Sequence, residues 1–155
     1  MILLRKSAEF TNSTEDLKEI YKLYIRNLLE QSSVLWGSSI SEENKIDLER
    51  VQKNACRVIL GNRYINYEDS LKIIELDTLE ERRKKIALNF AKNCTENKKT
   101  KKLFPLRKKL HKIKTRKEEI YKVKTSKLKR LQKSTVPFLQ KILNEEHLKN
   151  SPILP

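Results

Sequence analysis

The sequence predicts an all-α protein: a small helical bundle followed by a basic, partly disordered tail that ends in a short helix. Three observations carry this. Only two glycines and four prolines interrupt 155 residues, too few for a turn-rich β fold. Leu, Ile, Lys and Glu dominate, and all four suit helices. Apolar residues recur every three to four positions between recognisable caps. The apolar fraction of 37% is below, and the charged fraction of 35% above, what globular domains usually show.

The first ten residues, MILLRKSAEF, carry apolar Leu3 and Leu4 but no preceding cap or turn, and read as the end of something. Ser13 or Thr14 then caps a helix over 14–36, with Glu15 and Asp16 in its first turn, where the dipole favours acids. Leu17, Ile20, Tyr21, Tyr24, Leu28 and Leu35 form its apolar stripe. Ser41 caps the next helix, which runs to Leu60 and stops at Gly61. Leu48, Val51, Ala55, Val58 and Ile59 make its apolar back, and Arg50, Lys53 and Arg57 its cationic front. Asn66 caps a short helix, YEDSLKIIEL, with Leu71 and Ile74 inward. Thr78 and Glu81 form a capping box that opens LEERRKKIALNFAKNC, where Leu79, Ile86, Ala87 and Phe90 face one way.

After Cys94 the pattern changes. TENKKTKK reads as a charged linker, and Pro105 breaks any long helix in LFPLRKKLHKIKTRKEE. The alternation in EIYKVKTSKL is compatible with a short strand. Ser134 caps a last helix with Pro137 in its first turn and Leu139, Ile142 and Leu143 on its apolar side. The expected organisation is therefore a bundle over 1–95, a weakly ordered basic extension over 96–133, and a short helix over 134–147.

Charge is unevenly placed. Residues 1–95 carry 16 Lys and Arg against 15 Asp and Glu, while 96–155 carry 19 against 5, so nearly all of the net +15 lies after residue 95. Such a cluster attracts polyanions, nucleic acid first. Cys56 and Cys94 are isolated from each other and from His111 and His147, which excludes the clustered spacing that zinc needs. The expectation is reduced thiols, no metal and no cofactor. No apolar run is long enough for a membrane span, and the start is too short and too soon charged for a signal peptide. An intracellular location, nucleus or cytoplasm, is expected; Lys98-Lys99-Thr-Lys101-Lys102 also matches the loose pattern of an import signal.

IYKLYIRNLLEQSSVLWGSS, LERVQKNACRVILG and YEDSLKIIELDTLEERRKKIALNFAKNC, with LFP, TRKEEIYKV, the lone Arg130 and STVPFLQKILN after them, resemble the C-terminal part of Jockey-type non-LTR retrotransposon reverse transcriptases, from about Leu3 to Asn144. The resemblance implies a helical thumb region and the extension beyond the polymerase. Gln31 departs from it, standing where relatives often carry an aromatic. A larger departure concerns chemistry. That family's polymerase needs an adjacent aspartate pair and a further upstream aspartate to hold two metals. Here the four aspartates, Asp16, Asp47, Asp69 and Asp77, are all apart, and the endonuclease portion is absent. The expectation is thus no catalytic residue and no enzyme activity: a catalytically incomplete piece of an RNA-directed DNA polymerase, either a fragment or a frame left by a decayed element.

The implied partner is RNA or an RNA–DNA hybrid, bound without sequence preference, with docking to a missing polymerase palm as a further partner. Candidate contacts are Arg50, Lys53 and Arg57, then Lys98, Lys99, Lys101, Lys102, Arg107, Lys108, Lys109, Lys112, Lys114, Arg116, Lys127, Lys129 and Arg130. Arg50, Lys53 and Arg57 suit equally a face that merely keeps the helix soluble. The run Arg82-Arg83-Lys84-Lys85, just after Glu80 and Glu81, reads as intrahelical pairing. Trp36, Tyr21 and Tyr24 are read as core rather than as stacking platforms. The alternative function is a helical protein-interaction or scaffold module without nucleic acid; a membrane-surface role through Leu103, Phe104, Leu106 and Leu110 is hampered by Pro105.

Overall fold

The computed structural model describes residues 1–11, 13–107, 119–123 and 126–150. The chain is all-α, and no strand occurs among the described residues. Its helices are α1 (Ile2–Phe10), α2 (Thr14–Ile20), α3 (Asn27–Glu30), α4 (Ser33–Trp36), α5 (Glu42–Leu60), α6 (Tyr67–Ile74), α7 (Leu79–Glu96), α8 (Lys129–Gln132) and α9 (Thr135–Asn150). A π-helical segment, Tyr21–Arg26, joins α2 to α3.

Four helix starts arise from local chemistry. The Ser13 side chain accepts from the Asp16 amide, Ser41 from Asn44, and Asn66 from Asp69, each satisfying a donor that the helix cannot. At Thr78 both halves of the capping box are made: the Glu81 amide donates to the Thr78 hydroxyl at 3.2 Å, and the Thr78 amide donates back to the Glu81 carboxylate at 3.2 Å. Gly61, with φ of 53°, ends α5 in a conformation that a side chain would strain. Helix α6 closes with Glu75 left-handed, and the Leu76 amide reaches back to the Leu71 carbonyl at 2.9 Å, a Schellman closure. At Ser134 the hydroxyl donates backward to the Leu131 carbonyl, while its own carbonyl accepts from the Phe138 amide to start α9.

The first ten residues add a helix, and the expectation about the first long helix is corrected. MILLRKSAEF is itself a helix, because Leu4 is fully buried against α5 and that burial offsets the missing cap. The helix expected over 14–36 changes phase at its π segment and breaks at Ser32, whose φ is 54°. A π turn is wider than an α turn, so the chain lags by roughly a quarter turn across the segment. Ile25, Arg26, Leu29 and Glu30 therefore turn inward, and Leu23, Tyr24, Asn27 and Leu28 turn out. Tyr24 and Leu28, expected in the core, are 59% and 72% exposed, and Leu35 beyond the break is also exposed.

The chain forms two compact units. The first comprises Met1–Ser33 and Ile40–Lys84. Leu4, Leu17, Tyr21, Ala55, Cys56, Ile59, Leu60, Leu71 and Ile74 are its core. Each large aliphatic side chain so buried contributes about 1.5–3 kcal/mol. Helix α5 turns Gln52 as well as apolar residues into this core. Cys56, outside the apolar set read from the sequence for this helix, is wholly buried.

The second unit comprises Val34–Ser39 and the chain from Lys85. Ala87, Ala91 and Cys94 of α7 pack with Phe104, Leu139 and Leu143, and Val34 and Tyr121 lie against them. Phe90, expected inward on α7, is 44% exposed because the buried positions step by four and then three residues from Ala87. The boundary expected at residue 95 falls inside this unit. The last helix is also longer than expected, reaching Asn150 rather than 147. In place of a strand, the described residues of 119–128 make an isolated antiparallel bridge, Leu106 to Tyr121, with the Arg107 amide donating to the Ile120 carbonyl at 2.7 Å. Residues 108–118 and 124–125, part of the extension expected to be weakly ordered, lie outside the described residues.

Candidate nucleic-acid interface

On the first unit, α5 presents Arg50, Lys53 and Arg57 along one side, as their spacing dictates. Local partners occupy two of the three. Arg50 pairs with Asp47 at 2.6 Å, one turn earlier. Arg57 donates to the Asn54 side chain at 3.2 Å and lies over the Tyr64 ring, 5.3 Å from its centroid. Lys53 lines a depression of about 360 Å³ that also contains Glu42, Glu49 and Glu80. This side of α5 is therefore mixed in sign rather than a cationic strip.

The run at the start of α7 pairs more widely than its spacing suggests. Arg82 reaches outside its own helix and holds Glu30 through two guanidinium contacts, the second at 3.0 Å; the Glu30 carboxylate in turn stabilises the Arg82 charge. Lys84 meets Glu80 at 2.8 Å, and that hydrogen bond keeps the Glu80 carboxyl below its ordinary range. Arg83 is buried.

The second unit differs. Helix α7 ends in a turn fixed by Asn97: the Lys101 amide donates to the Asn97 carbonyl at 2.9 Å, and the Lys99 amide to its side chain at 2.9 Å. The Thr100 hydroxyl donates to the Cys94 carbonyl at 2.7 Å. This turn thrusts Lys98, Lys99, Lys101 and Lys102 into solvent. A second exposed group, Lys127, Lys129 and Arg130, sits at the start of α8, where the Gln132 side chain donates to the Ser126 carbonyl at 2.6 Å. No ion pair to another described residue engages any of these seven cations. Arg107, by contrast, meets Glu119 at 3.1 Å. Lys108, Lys109, Lys112, Lys114 and Arg116 lie outside the described residues.

The aromatic residues divide. Tyr21 is buried, its hydroxyl donating to Gln52 at 2.6 Å, and cannot stack on a base. Tyr24 is exposed, against the expectation of core, and so is Trp36 on the same count only in part, since α4 leaves it half-buried. Tyr67 donates to Glu49 at 2.6 Å. Burial and that acceptor push its phenol well above the ordinary range.

Among the described residues no group of three or more His, Cys, Asp or Glu side chains is placed to hold a metal. Both cysteines are free thiols, and burial pushes Cys56 up to about 11. No helix is long and apolar enough to cross a membrane among the described residues. Sequence reasoning misses two features: the buried Gln52, whose partners are distant in sequence, and Lys122, which lines a cleft with Lys102. Only the alternation around Tyr121 hints at the latter. Comparison of the chain with family models, curated proteins and solved structures finds no match.

Proposed function

We propose that this chain binds RNA or an RNA–DNA hybrid without sequence preference, chiefly through its second unit, and has no polymerase chemistry of its own. The observation that carries the reading is the contrast between the units. Seven exposed cations at 98–102 and 127–130 meet no described carboxylate, whereas Arg50, Arg82 and Lys84 are paired within the first unit. Side chains that give up no internal ion pair contribute their full charge to counterion release on a phosphate backbone. The resemblance to the thumb and extension of a retrotransposon polymerase supports the choice of a template–primer duplex. Such duplexes are A-like, with a wide, shallow minor groove beside which helices lie.

Fluorescence anisotropy with a labelled RNA–DNA hybrid, at low and at physiological salt, tests this. Binding that weakens steeply between the two, and that shuffled sequences reproduce, is the expected result. No binding at low salt removes the reading. The exposure of Leu23, Tyr24 and Leu28 favours a second reading, a helical protein-interaction module. Self-association that ignores salt, with no anisotropy change, is its signature.

A further inference from the structure

The second unit contains a cleft of about 860 Å³. Leu103, Val123, Leu131 and Val136 supply apolar lining, and Lys102 and Lys122 bring two cations to it. No carboxylate and no aromatic ring is among its described lining residues. Two of its walls are held by side chains of α9. Gln140 donates to the Leu103 carbonyl at 2.7 Å and so fixes the turn that carries Lys102. Asn144 accepts from the Tyr121 amide at 2.9 Å and donates to the Tyr121 carbonyl at 3.0 Å, holding the segment that carries Lys122. The Lys122 amide in turn donates to the Pro105 carbonyl at 2.9 Å. A groove whose walls are already bonded loses little freedom when it is filled.

We propose that this cleft is a docking groove for a short acidic segment of a partner protein that carries aliphatic side chains. The complementarity is twofold. Aliphatic walls recognise leucine-like side chains by area alone, and the volume admits several of them. Lys102 and Lys122, with no described carboxylate beside them in the cleft, select negative charge on the same segment. The lining disfavours a nucleobase, because single-stranded nucleic acid is held by aromatic platforms and the described walls offer none. The site shares Lys102 with the phosphate contacts proposed above, while Lys122 and the aliphatic walls belong to it alone.

The test uses the full chain and two labelled peptides of equal charge, one alternating aspartate with leucine and the other aspartate with serine, read by anisotropy at physiological salt. The leucine peptide binds, and the serine peptide binds about tenfold more weakly or worse. Lys102→Glu with Lys122→Glu weakens the leucine peptide by about tenfold or more. Leu131→Ser, at a half-exposed position, does the same without changing the net charge. Circular dichroism confirms that both variants keep their helices. Equal binding of the two peptides, or no binding of either, overturns the proposal. So does single-stranded RNA that displaces the leucine peptide and itself loses affinity on Leu131→Ser, since the cleft then belongs to nucleic acid.

Discussion

Gln52 shows how one polar residue can organise a core. It is wholly buried, accepts from the Tyr21 hydroxyl, and donates to the Tyr67 hydroxyl at 3.0 Å and to the Asp77 carbonyl at 2.9 Å. Three segments of the first unit therefore meet at a single amide. Gln52→Leu leaves the Tyr21 hydroxyl and the Asp77 carbonyl without this partner and costs about 2–4 kcal/mol in urea unfolding. Adding Tyr21→Phe removes the stranded donor, so the double variant recovers part of the loss; a further additive loss contradicts the network. The same core makes the protein sensitive to alkali. Burial raises Tyr21 and Tyr67 above the ordinary phenol range, and burial holds the Cys56 thiol up at about 11. Groups whose folded pKa is raised leave the unfolded chain binding fewer protons once pH passes their unfolded values. Stability from these three is complete below about pH 8.5 and falls as pH climbs through about 9 to 11, with a limiting slope of about 1.4 kcal/mol per pH unit for each group. Urea midpoints that stay level between about pH 8 and 10.5 show that these groups are not held neutral.

Among the elements, the helix starts are legible because a cap is local. Ser13, Ser41, Asn66 and the Thr78–Glu81 pair each act within three residues, so the string alone places them. The stop at Gly61 and the inward Leu71 and Ile74 are legible for the same reason. Helix α1 is not, since only the tertiary burial of Leu4 accounts for it. Nor are the faces of Tyr24, Leu28 and Phe90, which a constant 3.6-residue period misassigns as soon as the period changes or the neighbour sits elsewhere. The exposed lysines of the candidate interface can be read from composition. The partners of Gln52, 15 to 31 residues away, cannot. The π segment has its own consequence. It acts as a one-residue insertion in an otherwise α-helical stretch. Deleting the exposed Leu23 lets the helix run on as α and still turns Ile25, Arg26, Leu29 and Glu30 inward, with Glu30 toward Arg82. The deletion is expected to cost no more than about 1 kcal/mol by urea unfolding, unusual for a change inside a helix. Deleting exposed Arg50 from the regular helix α5 swings Gln52, Ala55, Cys56 and Ile59 relative to the residues before the gap and abolishes cooperative unfolding. Equal damage from both deletions argues against the extra-residue account.

At the scale of the molecule, charge and structure divide differently. The first unit pairs many of its charges within itself: Arg82 with Glu30, Arg50 with Asp47, Lys84 with Glu80, and Lys45 with Glu42 at 2.6 Å. The second holds the cationic surplus, and its core, built from α7 and α9 around Phe104 and Tyr121, gives the described cations at 98–102 and 127–130 a fixed base. The edge-on Phe104–Tyr121 contact, with centroids 6.1 Å apart, anchors the end of the turn that carries the lysines. Two sets of substitutions separate the contributions. Replacing Lys98, Lys99 and Lys101 by Gln removes three cations that have no described ion pair, so the slope of log affinity against log salt should flatten by about 0.7–0.9 for each phosphate left unneutralised. Replacing Arg50, Lys53 and Arg57 by Gln removes as many charges from the chain, but two of them are engaged by Asp47 or by Asn54 and Tyr64, and Lys53 lines a depression with Glu42, Glu49 and Glu80, so that slope should flatten far less. Net charge is lowered equally in both variants, so a response that tracks net charge alone flattens the two slopes alike. That result assigns binding to the diffuse field of the whole chain and removes the distinction between the units on which the proposed function rests.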